Sequence, residues 1–450
     1  MRRESFETEF GKQVWDDHLW FLGTRTIPLS GEDLRPNGKQ GTIDTVVQPE
    51  KISHAVNVPP REPKVKAEEI EAVFCEPRKT PTLYDIVQYY VMEDVIDEES
   101  LSAAITLAAV GGISFGVEGF SGSGKTHIVD RLMRLIPREW VYKIELSSKT
   151  AVFYEADAIN RCRIVYIPEL QKAMQDKKSP IIEVIKNLTE GKDASRIVTR
   201  SDKTGSIEYS IKKGKSVIYT LALENYFKKD EESSRRLMRL QTDSSQEHLA
   251  LIHEQKARQR FTLGVDTKKA ERLKKRLTEH LQEVAGRGNL RVIDPCSEYF
   301  RDLIPKTQKS VGYVDHYYHL VDACARWHYR DRESFSVNGT TYIIANVEDH
   351  FNVFEMYFRE FTKTLRDFAE RMADGEEKAR ALEELVEVRN PNWNECLDRA
   401  YEVLQSEPSL ALLRESSPAL ADRWKQLQLT HGDLATLDYK TGQILPMVRE

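Results

Sequence analysis

The run Gly119-Phe120-Ser121-Gly122-Ser123-Gly124-Lys125-Thr126 constrains this chain more than any other segment, because it meets G-x-x-x-x-G-K-[ST] at every specified position. The apolar run Ile113 to Val117 before it reads as a buried strand, and Lys125 to about Leu135 after it reads as a helix. A glycine-rich turn in that setting points backbone N–H groups inward and adds the positive end of a helix dipole, which makes a phosphate cradle. Lys125 would neutralise β and γ oxygens there, and the Thr126 hydroxyl would reach Mg2+. The expected nucleotide-binding set is Gly119, Ser121, Gly122, Ser123, Gly124, Lys125, Thr126 and His127, with ATP and Mg2+ as the ligands.

Apolar runs around Trp140 to Ile144, at Ile164 to Ile167 and at Ser216 to Leu221 alternate with helical stretches, which predicts a parallel sheet covered by helices. Leu83, Ile86, Val87, Tyr90 and Val91 share one helical face ahead of it, and an apolar helix starts near Leu101. The fold class expected is α/β: an additional-strand P-loop NTPase core, then a helical or winged-helix module, with N- and C-terminal regions on either side. At roughly 150 residues per domain, 450 residues allow about three domains. The expected boundaries are 1–75 for an N-terminal region with a proline-bearing linker, 76–265 for the P-loop domain, 266–372 for the helical or winged module and 373–450 for a C-terminal helical region.

A P-loop needs a second strand that ends in a carboxylate, and Ile164-Val165-Tyr166-Ile167-Pro168-Glu169 supplies one. Glu169 either orients the attacking water or caps the following helix. Pro168 stands where an aspartate usually completes the Mg2+ shell, which leaves Thr126 and the phosphates as the metal's partners. Thr220, at the end of the third run, is either a polar residue near the γ-phosphate or a turn residue. Arg235 and Arg236 follow an acidic stretch; they either reach a neighbouring subunit's γ-phosphate or form a solvated face.

Two alternating runs, Arg196 to Arg200 and Ile207 to Ile211, joined through Asp202-Lys203-Thr204-Gly205, predict a hairpin, and Val337-Asn338-Gly339-Thr340 predicts another. One basic helix is expected over 254 to 284, an aromatic-rich helix over 311 to 328, a long helix from Val347 to Met372 and a charged helix from Glu376 to Val388. His316, His319 and His328 fall on the aromatic-rich helix without metal spacing and read as packing residues.

With 66 Lys plus Arg against 72 Asp plus Glu, the net charge of −6 provides no global positive field, so any polyanion must meet a local patch. Hydrophobic residues at 40% and charged residues at 31% are those of a folded globular chain. The five cysteines are far apart with no C-x-x-C pair, which argues against a disulfide framework or a zinc knuckle and for buried thiols in a reducing compartment. The longest uncharged stretch, Leu101 to Val117, is broken by Gly111-Gly112, so a cytoplasmic protein with no membrane span is expected.

The ordered set GFSGSGKT, Ser147-Ser148-Lys149-Thr150-Ala151, IVYIPEL, Leu188-Thr189-Glu190-Gly191-Lys192, VIYT, SRRLMRLQTDSS and Arg291-Val292-Ile293-Asp294-Pro295 resembles the ATPase half of primase-helicases of viruses, plasmids and integrated elements. These are a branch of AAA+ ATPases near the MCM and viral superfamily 3 helicases. The likeness runs from about Leu83 to about Phe358. It implies a homo-oligomeric, hexameric ring that hydrolyses ATP and acts on single-stranded or forked DNA. Lys125, Thr126 and Glu169 would act within one subunit and Arg236, with Arg235, across the interface. In such helicases the hairpin between the second motif and the next strand follows DNA, a role the resemblance gives to Arg200, Lys203, Lys212 and Lys213. The family carries an acidic pair where this chain has Pro168-Glu169, so the resemblance implies nucleotide binding more directly than fast hydrolysis. A slow, nucleotide-gated loader, initiator or defence-complex ATPase is the alternative.

Overall fold

Thr82 and Asp85 form a capping box at the start of α1 (Leu83–Met92): the Asp85 amide donates to the Thr82 hydroxyl at 3.2 Å, and the Thr82 amide donates to the Asp85 carboxylate at 2.8 Å. The structure, a computed structural model, describes residues 80–144, 151–174, 180–199, 206–222, 236–243, 245–261, 267–304, 310–358, 375, 391–430 and 434–447. Leu83, Ile86, Val87 and Tyr90 line the buried face of α1, as their spacing predicts. α2 (Glu99–Gly111) is apolar on nearly every side and is correspondingly buried from Leu101 to Ala108. It ends at Gly112, in the left-handed region at φ 69°. No described helix is long and apolar enough to cross a membrane.

The chain continues through β1 (Phe115–Glu118), α3 (Lys125–Leu135), β2 (Val141–Lys143), α4 (Ala151–Tyr154), α5 (Ala156–Arg161), β3 (Ile164–Ile167), α6 (Gln171–Met174) and α7 (Pro180–Thr189). The hairpin of β4 (Ala194–Thr199) and β5 (Ser206–Ile211) follows, then β6 (Ser216–Leu221) and β7 (Met238–Gln241). Five of these strands form one sheet in the order β2-β3-β6-β1-β7, with every neighbouring pair parallel. β6 therefore lies between the strand that feeds the glycine loop and the strand that ends before Glu169, the additional-strand arrangement expected from the sequence. Strands β1, β3 and β6 are buried at every residue, which is why they read as continuous apolar runs. On one face Val165, Ile167, Val217 and Tyr219 pack with Phe153, Ile159, Ile181, Val184 and Leu188.

α8 (Gln246–Arg258) and α9 (Thr267–Gly286) replace the single basic helix expected over 254 to 284. Thr262, Gly264 and Val265, poor helix formers, fall between them in sequence. The Thr278 hydroxyl on α9 donates to the Leu135 carbonyl at 2.9 Å, tying α9 to the end of α3.

Beyond α9 come β8 (Leu290–Ile293), α10 (Ser297–Leu303), α11 (Ser310–Trp327), β9 (Ser334–Val337), β10 (Thr340–Ile344) and α12 (Val347–Val353). Their sheet has the order β8-β10-β9, with β8 parallel and β9 antiparallel to β10. Asn338 and Gly339 close the β9–β10 hairpin at φ 51° and 77°, the two left-handed positions that such a tight turn needs. Of the long helix expected from Val347, the described part is α12 followed by a π-helical turn over Phe354–Phe358. The helix expected over 376 to 388 lies outside the described residues. α13 (Trp393–Ser406), α14 (Ala411–Ser416), α15 (Leu420–Thr430) and the hairpin of β11 (Ala435–Leu437) and β12 (Ile444–Pro446) close the described chain. The buried Tyr439 hydroxyl lies 3.0 Å from Ser100 Oγ, so the last hairpin reaches α2.

Candidate nucleotide site

The glycine loop leaves the C-terminal end of β1 and enters α3 with its backbone donors open. Gly122 and Gly124 sit in the left-handed region at φ 86° and 85°, which only glycine adopts without strain. Gly124 is the N-cap of α3, no side chain caps the helix, and its first turn holds no acidic residue. The unsatisfied N–H groups and the helix dipole therefore face whatever occupies the loop. Ser121, Thr126 and His127 are exposed at this rim, and His127 Nε2 lies 3.2 Å from the Asp94 carbonyl. Thr126, on the first turn and reachable, fits the hydroxyl ligand that a nucleotide-bound Mg2+ takes.

Lys125 is buried, and its ammonium folds back onto the loop, donating to the Phe120 carbonyl and to Ser123 Oγ, the latter at 3.3 Å. Burial lowers its pKa from the ordinary lysine value. The loop is braced from both sides. The Gly119 amide donates to the Leu221 carbonyl of β6 at 3.3 Å, and Ser123 Oγ lies 2.7 Å from Thr242 Oγ1, just past β7. Gly119 must be glycine for this, because a Cβ there would stand 2.4 Å from Thr242 Oγ1.

Thr220 and Glu169 meet at the same edge of the sheet. The Glu169 amide donates to Thr220 Oγ1 at 3.0 Å, and the Leu170 amide donates to the Thr220 carbonyl at 2.9 Å. Glu169 takes the left-handed conformation at φ 54°, an uncommon state for a residue with a Cβ. Its carboxylate is exposed and pairs with Lys172, a surface pair that water screens. The arrangement leaves a carboxylate available to a water molecule and a Thr220 O–H still free to donate.

Beneath the loop lies a group that reading the sequence did not single out. Glu118 is fully buried, and its carboxylate accepts from Arg239 Nε at 2.9 Å and from the Tyr219 hydroxyl at 3.1 Å. Gly116 makes room for this, since a Cβ at Gly116 would fall 1.9 Å from Tyr219 Cζ. The available signal was a lone acidic residue closing an otherwise apolar strand, which needs a buried partner if the strand is buried along its whole length.

The other expected residues are less closely tied to the loop. Arg236 pairs with Glu190, which also binds Lys192 at 2.6 Å; its proposed role across an interface requires it to leave Glu190. Lys212 pairs with Asp193 at 3.0 Å at the base of the β4–β5 hairpin, and the Lys213 amide donates to the same carboxylate. Arg200, Lys203 and Arg235 lie outside the described residues, as does the segment Ser147 to Thr150. On α9, Arg276 pairs with Asp85 at 3.2 Å and Lys274 with Glu271 at 3.6 Å, so much of the basic stretch has acidic neighbours.

One sequence expectation about the histidines needs correction. His316 and His328 are buried as expected, but His319 is exposed. His328 also has Cys324 and Asp349 beside it, within 4.8 Å, because α12 packs on α11; both Asp349 oxygens are taken by Arg332 at 2.9 and 2.6 Å. Cys296, Cys324 and Cys396 are buried thiols, and Cys162 is half-buried.

No curated protein matches the chain. Residues 65–284 match the family model of the MTBMA_p00010 P-loop domain, a stretch that holds the glycine loop and all five strands of the parallel sheet. Loop geometry, strand order and this match agree: the chain carries an α/β P-loop NTPase core, built to bind a nucleotide.

Proposed function

We propose that this chain is a Mg2+-dependent ATPase that assembles into a hexameric ring and moves or remodels single-stranded or forked DNA. The β4–β5 hairpin carries this reading. It is inserted between β3, which leads into Glu169, and β6, which bears Thr220, so a strand held by the hairpin and a nucleotide held by the loop act on one continuous segment. Burial falls away along β5 from Ile211 at the base to Ser206 near the turn, and Ile197 is exposed on β4, as suits an arm directed away from the domain. Arg200 and Lys203 fall at its turn in sequence, where basic side chains suit sequence-independent phosphate contacts.

In this scheme Lys125 leaves the Phe120 carbonyl for the nucleotide's phosphates, and the open N–H groups of α3 take the remaining oxygens. Thr126 would hold a Mg2+ that arrives with the nucleotide, and that ion would supply positive charge to the phosphate oxygens. Glu169, held by Thr220, orients the attacking water, and Arg236 exchanges Glu190 for the phosphates of a neighbouring subunit.

A second reading rests on Pro168-Glu169. With no aspartate before Glu169, and with the Glu169 carboxylate paired to Lys172, the chain is a slow, nucleotide-gated DNA-binding loader, initiator or defence-complex ATPase. Single-stranded DNA binding across a salt series tests the DNA claim common to both. Arg200→Ala with Lys203→Ala should weaken binding and flatten its salt dependence while ATP affinity holds. Unchanged DNA binding removes the hairpin from the account, and a monomer in sedimentation with ATP and DNA removes the ring.

A further inference from the structure

Behind the glycine loop, three segments distant in sequence bring two carboxylates and an imidazole together. Asp97 lies in the turn before α2, Asp243 just beyond β7, and His248 in the first turn of α8; one ligand atom from each falls within 4.8 Å of the other two. His248 is only 2% exposed, yet its Nδ1 has no hydrogen-bond partner. That nitrogen lies 3.8 Å from Asp97 Oδ2, and Nε2 lies 3.7 Å from Glu98 Oε1. Both separations are too long for a hydrogen bond.

A cation held between the buried imidazole nitrogen and the carboxylates would satisfy both. No Lys or Arg among the described residues pairs with Asp97, Glu98 or Asp243. A metal with bonds of about 2.1 Å spans a 3.8 Å pair at an open angle. The second shell is also present: the Ser245 amide and hydroxyl donate to the Asp243 carboxylate at 2.7 and 3.0 Å, and the Asp243 amide donates to Glu98 Oε1 at 2.9 Å.

We infer that Asp97, Asp243 and His248 form a site for a first-row divalent cation, of the Mn2+ or Zn2+ class, separate from the Mg2+ that accompanies the nucleotide. One imidazole with two carboxylates selects such ions over Mg2+, which prefers oxygen alone. The site clamps the entry to α2, the exit of β7 and the start of α8. Thr242, whose hydroxyl holds Ser123 of the glycine loop, is the residue next to Asp243, so the ion stiffens the loop's support.

The test is a titration of the chelator-treated full chain with Mn2+, without nucleotide, following the free ion by its paramagnetic resonance. One Mn2+ should bind per chain, and Asp97→Asn and His248→Gln should each weaken it roughly tenfold to a hundredfold. Asp97 is exposed and has φ 55°, a conformation asparagine tolerates, so this variant keeps the test valid if His248→Gln does not fold. Absence of bound Mn2+, or equal affinity in Asp97→Asn, overturns the site.

Discussion

The Glu169 amide donates to the Thr220 hydroxyl at 3.0 Å, so the polar residue at the end of β6 fixes the backbone of the acidic residue that follows β3. Thr220→Val keeps the volume and removes the acceptor. Turnover should fall roughly tenfold to a hundredfold with nucleotide affinity nearly unchanged, because Glu169, proposed to orient the attacking water, has lost its alignment. Thr220→Ser should recover most of the rate; steady-state kinetics beside equilibrium nucleotide binding measure both.

Glu118 and Arg239 form a pair under the loop that is stable only as a pair. Glu118→Gln leaves the guanidinium nearly buried beside a neutral amide, and loss of one partner should cost roughly 3–5 kcal/mol in chemical unfolding. Gly116→Ala drives a methyl group into the Tyr219 ring and should cost at least about 1–3 kcal/mol by overpacking.

The chemistry of the loop and the strands was legible because it is local. Residues Gly119 to Thr126 bear their function in their spacing, and β1, β3 and β6, buried on both faces, announce themselves as apolar runs. What the sequence hid depends on long-range placement. Nothing near Glu118 in sequence foretells Arg239, and nothing near Asp97 foretells His248. The basic stretch over 254 to 284 misled for a local reason: its charge runs on as if through one helix, but Thr262, Gly264 and Val265, poor helix formers, fall between α8 and α9.

Acid and base should act in opposite directions on the packing of α11 and α12. Burial, reinforced by Asp294, raises Asp322 to about 6 in the folded chain against 3.8 for a free side chain. Its stabilising contribution is complete below the unfolded value and is lost as pH rises through about 6, so Asp322→Asn should flatten stability over that window. Asp349 behaves conversely. Burial alone would raise its pKa, but Arg332 holds it well below the usual carboxylate range, and that contribution is lost as pH falls below about 4. Unfolding midpoints across pH for the wild type and the two Asp→Asn variants separate these effects.

The interface role of Arg236 has its own test. Arg236→Ala and Lys125→Ala should each be inactive alone, yet mixing them should restore turnover. In a mixed ring some interfaces combine the intact loop of one subunit with the intact arginine of the next. Mixtures as inactive as their components would return Arg236 to its partner Glu190 as a structural residue.

The most direct measurement is the rate of ATP hydrolysis with and without single-stranded DNA, in the wild type and in Lys125→Ala. DNA should accelerate turnover by the wild-type chain, and Lys125→Ala should abolish both the basal and the stimulated rate. Tight ATP binding with no turnover, or turnover indifferent to DNA, would contradict the motor.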